Sequence, residues 1–131
     1  MTTRIISSSS QAANQLHAYL KYLDHEELWA IYLTQDNRLI SQELLTKGSL
    51  TSTVIDARTV IKQALLKNAV SVILLHNHPS GNARPSTADI RQTDIIRSAC
   101  QLMDIKLLDH LIIAANSYFS FAEDKTEFIN Y

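Results

Sequence analysis

The stretch that decides the fold is VSVILLHNHPSGNARPSTADI, residues 70–90. Its first six residues are almost continuously apolar and rich in β-branched side chains, which is typical of a strand buried on both faces. Residues 76–85 are rich in turn-forming types, and Ser86 then begins a helical pattern. A buried strand that leads through a loop into a helix is the junction at which open α/β sheets usually bind ligands.

The rest of the chain predicts strands and helices on either side of this junction. Amphipathic periodicity predicts the helices, which cover residues 12–23, 58–67 and about 86–104. Short apolar runs bounded by turn signals predict the other strands, at residues 28–33, 39–45, 53–55, 106–113 and 118–121. This order predicts an α/β fold, with a mixed β-sheet flanked by about three helices.

Length and composition favour one domain over residues 1–131, with residues 1–8 expected to be flexible. The chain is 46% hydrophobic with only 2 glycines and 2 prolines, which indicates a well-packed core.

Its formal net charge of -1 makes nucleic acid an unlikely partner for this domain alone. Cys100 is the single cysteine, which excludes an internal disulfide, and it is expected in the core. No apolar run has the length of a signal peptide or a membrane span, so a cytoplasmic location is expected.

Two histidines and an aspartate in the deciding stretch have the spacing of metal ligands. His76 and His78 are one residue apart at a strand end, so their imidazoles would project from one side with Cα atoms roughly 6–7 Å apart. Asp89 falls in the first turn of the next helix, from which its carboxylate can point back at the histidines. Three protein ligands leave a fourth position for water, which is the arrangement of a catalytic zinc ion. The pattern therefore predicts one catalytic Zn²⁺.

Other interpretations of these residues stay open. Ser86 and Asp89 also match a helix capping box, in which the hydroxyl and the carboxylate satisfy backbone N–H groups. That role is compatible with metal binding through the second oxygen of Asp89. Two histidines and one carboxylate are also the ligands of non-haem iron oxygenases, so iron is an alternative to zinc.

The pattern H-x-H, seven residues, S, two residues, D is met by His76, His78, Ser86 and Asp89, and it resembles the signature of the JAMM (MPN-plus) metalloprotease domain. The text HNHPSG, the DIxxT that follows it and LLDH at residues 107–110 are similar to the bacterial RadC-like branch. The resemblance covers residues 10–125. It implies a JAB/MPN fold, a catalytic zinc ion and hydrolysis of an amide or isopeptide-type bond in an unidentified peptide-like substrate.

The resemblance also implies a glutamate general base at the start of an early strand. Glu27 is favoured and Glu26 is the alternative, because strand alternation lets only one of them face the site. Ser86 would donate a hydrogen bond to the carbonyl oxygen on which charge develops. His110 is either a core histidine bonded to a carbonyl or a residue that supports a metal ligand. The other two histidines are expected at the surface, namely His17 and His25.

Two functions other than hydrolysis are compatible with the resemblance. One is a JAMM-like scaffold without activity, although a scaffold does not need the signature residues. The other is a DNA-repair-associated role, which the near-neutral charge and the missing helix-hairpin-helix region of longer relatives weaken. One departure from the relatives is Ala57-Arg58-Thr59, which stands where they usually have Pro-Arg-Glu. The sequence does not indicate an oligomeric state.

Overall fold

The structure, a computed structural model, describes residues 4–48 and 56–129. Within these residues the elements are α1 (Ser9–Leu20), β1 (Glu27–Leu33), β2 (Leu39–Lys47), α2 (Ala57–Leu66), β3 (Ser71–Asn77), α3 (Thr87–Leu102), β4 (Lys106–Ile113), β5 (Ser117–Ser120) and β6 (Lys125–Phe128). The strands form one sheet in the order β2-β1-β3-β4-β5-β6. β3 and β4 are parallel and the other neighbouring pairs are antiparallel. The predicted mixed sheet with three helices is confirmed.

Two hydrophobic clusters cover the two faces of this sheet. On one face the side chains of Leu28, Ala30 and Tyr32 pack with α2 and α3. On the other face Ile31 and Leu33 pack with α1. Alternate residues of a strand therefore belong to opposite clusters, as the pleat requires. All seven residues of β3 are buried, which confirms the prediction of a strand covered on both faces.

The register between β1 and β3 places the end of β3 on the face that α2 and α3 cover. Leu28 is paired with His76. Directly paired residues on neighbouring strands point to the same face, so His76 shares the face of Leu28. After β3 the chain turns and starts α3, whose N-cap is Ser86. The first turn of α3 consequently lies beside the end of β3.

A few segments differ from the sequence-based prediction. β6 is not predicted because its residues KTEF are mostly polar and exposed, which leaves no alternation to detect. β5 is displaced by one residue from the predicted 118–121, and the strand expected at 53–55 lies outside the described residues. Residues 4–6, expected to be flexible, are held against the sheet, since Ile6 is buried and its N–H donates to the Asn37 carbonyl at 2.8 Å.

Across 4–48 and 56–129, the helices lack the length and apolar composition needed to cross a membrane.

Neighbouring isoleucines on α3 provide a test of this packing, because Ile96 is fully buried whereas Ile95 is 48% exposed. Ile96→Ala is expected to lower the free energy of unfolding by about 2–5 kcal/mol, since it leaves a cavity in the core. Ile95→Ala, the matched control, should change it by about 0.5 kcal/mol or less. Urea denaturation followed by circular dichroism measures both. Equal losses would contradict the face assigned to α3.

Candidate metal centre

The three predicted metal ligands meet beside the end of β3. Nε2 of His76 lies 3.1 Å from Nε2 of His78. The Asp89 carboxylate reaches both rings, with Oδ1 3.1 Å from His76 Nε2 and Oδ2 3.2 Å from His78 Nε2. Atoms bound to a tetrahedral zinc ion at about 2.0–2.1 Å are roughly 3.3 Å apart. The spacing and the chemistry of these donor atoms therefore fit a cation of that size.

Asp89 is held in place by the first turn of α3. The Ser86 hydroxyl accepts a hydrogen bond from the Asp89 N–H at 3.0 Å, and Oδ2 of Asp89 accepts from the Ser86 N–H at 2.8 Å. This is the capping box predicted from the sequence. Burial alone would raise the pKa of Asp89, but its polar contacts with the two imidazoles and with the Ser86 N–H outweigh burial and hold that pKa well below its ordinary value. The carboxylate is therefore ionised, as a cation ligand must be.

His78 is positioned by the loop that follows β3. Its Nδ1 lies 2.9 Å from the Asn82 carbonyl oxygen. A carbonyl oxygen can only accept, so Nδ1 carries the hydrogen and, in the neutral ring, Nε2 keeps its lone pair. The side chain of His78 is 14% exposed, compared with 1% for His76 and 2% for Asp89. The site consequently opens to solvent on the side of His78.

Glu26, rather than Glu27, faces the histidines. Oε1 of Glu26 lies 3.9 Å from Nε2 of His78, and one ligand atom from each of Glu26, His76 and His78 lies within 4.8 Å of the others. Because Leu28 pairs with His76, alternation places Glu26 on the face of the site and Glu27 on the opposite face. The expectation that Glu27 faces the site is therefore wrong. The sequence shows the alternation but not the register that decides which glutamate points inward.

Glu27 is part of a hydrogen-bond network on the α1 face. Its Oε1 accepts from the Tyr19 hydroxyl at 2.8 Å and from Trp29 Nε1 at 3.0 Å, and its Oε2 lies 2.7 Å from His25 Nε2. The carboxylate is 2% exposed, while His25 is 46% exposed, as expected for a surface histidine. Burial would raise the pKa of Glu27, but the hydrogen bonds from His25, Trp29 and Tyr19 outweigh it and lower that pKa. Glu27 is thus an ionised structural group.

Asn77, which the sequence analysis does not single out, ties the two histidines to the backbone around Glu26. Its Oδ1 accepts from the Glu27 N–H at 2.8 Å, and its Nδ2 donates to the His25 carbonyl oxygen at 2.9 Å. These two hydrogen bonds are called the Asn77 bridge below. An amide side chain between two candidate ligand histidines is the sequence signal that points to it. The bridge fixes the main chain on both sides of Glu26.

Two other histidines are buried. His110 is fully buried, and its Nε2 lies 2.7 Å from Nδ1 of His76, which agrees with the interpretation as support for a ligand. Burial lowers the pKa of His110 well below its ordinary value. The surface position expected for His17 is wrong, since it is 1% exposed and its Nε2 lies 3.1 Å from the Ala114 carbonyl oxygen. Cys100 is buried, as predicted.

The different roles of the adjacent glutamates predict different effects on stability. Glu27→Ala is expected to lower the free energy of unfolding of the metal-free protein by about 1–3 kcal/mol, because Tyr19 and Trp29 lose a buried acceptor. Glu26→Ala is the matched control, since this side chain is 22% exposed, and about 0.5 kcal/mol is expected for it. Urea denaturation measures both variants. A larger loss for Glu26→Ala would reverse the assignment of the two side chains.

Comparisons with known proteins identify the family of this chain. Residues 6–126 match the family model of the RadC-like JAB domain. A UPF0758 protein of Flavobacterium johnsoniae is 41% identical over 119 residues, which are 91% of this chain and 52% of the relative. The UPF0758 protein YfjY of Escherichia coli is 45% identical over 122 residues, which are 92% of this chain and 76% of the relative. This chain thus spans about half the length of the first relative and three quarters of the second. It belongs to the RadC-like JAB domain family.

Proposed function

We propose that this chain is a metal-dependent hydrolase of amide or isopeptide-type bonds. The observation that carries the proposal is the convergence of His76 Nε2, His78 Nε2 and both Asp89 oxygens, with contacts of 3.1–3.2 Å, beside Glu26. Two lone pairs and a carboxylate charge at such distances repel one another, and a metal cation among them would replace that repulsion with attraction. Membership of the RadC-like JAB family supports the metal.

Zinc is the metal that suits this donor set. Two imidazole nitrogens and one carboxylate are ligands of catalytic zinc, and three protein ligands leave one position open. Bound there, zinc would supply Lewis-acid chemistry, polarising a carbonyl and lowering the pKa of water toward about 7. His76, His78 and Asp89 would hold the ion. A substrate would approach from the side of His78 and Glu26, whose side chains are 14% and 22% exposed.

Glu26 is the group suited to move protons in the reaction. Its carboxylate would accept a proton from the attacking water and pass it to the leaving nitrogen, acting first as general base and then as general acid. The C–N bond breaks, one water is consumed, and a carboxylic acid and an amine are formed. The Asn77 bridge supports this role, because it fixes the backbone on both sides of Glu26.

Ser86 is suited to stabilise charge on the substrate. Its oxygen accepts the capping hydrogen bond from the Asp89 N–H, and that bond leaves the hydroxyl hydrogen free to donate. A donor placed beside a carbonyl under attack stabilises the negative charge that develops on its oxygen. Capping and charge stabilisation are therefore compatible in one side chain.

Zinc uptake and peptide cleavage test the proposal together. The wild-type protein is expected to bind one Zn²⁺ and to cleave members of a library of peptides and isopeptide-linked peptides. His76→Gln should lose the zinc, since the ring nitrogen is one of three ligands. Glu26→Gln should retain zinc but lose turnover by about 10²–10⁴-fold, because it removes the proton acceptor. Isothermal titration calorimetry measures zinc binding, and mass spectrometry of the digested library measures cleavage.

Glu27→Gln is the matched control for Glu26→Gln and should retain turnover within several-fold of wild type. The reverse result, with Glu27→Gln inactive and Glu26→Gln active, would remove Glu26 from the mechanism. A wild-type protein that takes up no zinc at saturation would overturn the hydrolase proposal in favour of a scaffold. Preferential uptake of Fe²⁺ with oxygen-dependent turnover would favour an oxygenase instead.

Ser86→Ala separates capping from catalysis. The lost cap is expected to lower the free energy of unfolding by about 1 kcal/mol. The lost donor should lower kcat by about 10²–10³-fold while zinc remains bound. Steady-state kinetics at a temperature where both proteins are fully folded measures the second effect. Wild-type turnover in this variant would leave Ser86 with the capping role alone.

A further inference from the structure

We propose that Thr93 and His110 are positioning residues that set the ring of His76 in the tautomer whose unprotonated Nε2 faces the cation site. The two residues form a chain of hydrogen bonds from the backbone of Asp89 to His76, called the Thr93–His110 relay below. The inference rests on the proposed function for its purpose, since it concerns how a metal ligand is prepared. The direction of each hydrogen bond follows from the donor and acceptor atoms and from the burial of His110.

The relay starts at Thr93, whose direction is fixed by a carbonyl. Oγ1 of Thr93 donates to the Asp89 carbonyl oxygen at 2.7 Å. This is the bond that threonine often makes to the carbonyl four residues earlier in a helix. The hydroxyl has one hydrogen, which this bond uses. Oγ1 also lies 2.6 Å from Nδ1 of His110, so here it accepts, and Nδ1 of His110 carries the hydrogen.

The relay continues through the ring of His110. This side chain is 0% exposed, and its two ring nitrogens contact Thr93 and His76. A charged imidazolium at such a depth is costly without an ionised partner, so the ring is neutral and has one hydrogen, on Nδ1. Its Nε2 is therefore an acceptor. The 2.7 Å contact with His76 is then a hydrogen bond donated by Nδ1 of His76.

These hydrogen bonds determine the protonation of the other ring nitrogen of His76, which is Nε2. With the hydrogen on Nδ1, the neutral ring has a lone pair on Nε2, the atom that lies 3.1 Å from both His78 Nε2 and Asp89 Oδ1. Metal-bound histidines commonly donate their second N–H to a carboxylate, a carbonyl or water. Here another histidine takes that place, and Phe121 fixes its plane by stacking on it at 5.0 Å between centroids and 15° between planes.

The relay also connects the elements that carry two of the ligands. Thr93 and Asp89 lie on α3, His110 lies on β4, and His76 lies on β3. The hydroxyl of Thr93 contacts the backbone of one ligand, and His110 contacts the side chain of another. The relay thus makes the orientation of His76 depend on the position of the helix that supplies Asp89.

A pair of substitutions at Thr93 isolates the hydroxyl. Thr93→Val keeps the shape and removes the hydroxyl, whereas Thr93→Ser keeps the hydroxyl and is the matched control. We expect Thr93→Val to weaken zinc binding by about 10- to 100-fold and Thr93→Ser to bind within about threefold of wild type. Competition with a chromophoric chelator measures the affinities. Circular dichroism confirms that both variants are folded.

Nitrogen-15 spectra of labelled histidine read the tautomers without metal or turnover. At alkaline pH, metal-free wild type and Thr93→Ser should have His76 and His110 protonated on Nδ1. In Thr93→Val the two rings should show a mixture of tautomers. Wild-type affinity and unchanged tautomers in Thr93→Val, or an equal loss of affinity in Thr93→Ser, would overturn the relay. A wild-type protein that shows these tautomers but takes up no zinc would support the relay and refute the hydrolase.

Discussion

The pairing of Leu28 with His76 is the contact on which the site depends. Side chains alternate along a strand, so this single register decides that Glu26 and both histidines meet on the face covered by α3. A slip of one residue would bring Glu27 to the site and turn Glu26 away. The Asn77 bridge opposes such a slip, because its two hydrogen bonds continue the ladder beyond the last paired residues.

The first turn of α3 satisfies two requirements with one carboxylate. Oδ2 of Asp89 accepts the Ser86 N–H, which the start of a helix leaves without a partner in the helix itself. The same carboxylate contacts both histidines. The positive end of the helix dipole favours its ionised form. A substitution of Asp89 would therefore disturb both the start of α3 and the candidate metal centre.

Periodicity and turn chemistry were sufficient to predict most elements, since β3 contains a continuous apolar run at residues 72–75 and α1 buries its apolar face. The convergence of His76, His78 and Asp89 was also predictable, because spacing and the capping pattern are local. The choice between Glu26 and Glu27 was not, since it depends on a register between strands distant in sequence. The surface position predicted for His17 rests on the absence of a partner pattern, although its spacing from Ala13 and Leu20 places it on the buried face of α1. β6 has too few apolar residues to leave a pattern.

His78 is more exposed to solvent than His76 and Asp89. His76 and Asp89 are fixed by a strand and a helix, whereas His78 is fixed by the carbonyl of Asn82, in a turn where Gly81 adopts φ +89°. Opening of this turn would displace His78 and would not require the sheet or the helix cap to change. Local openings cost less free energy than global unfolding. An ion bound here would escape through the turn, so its residence time would report the mobility of a few residues rather than the stability of the whole domain.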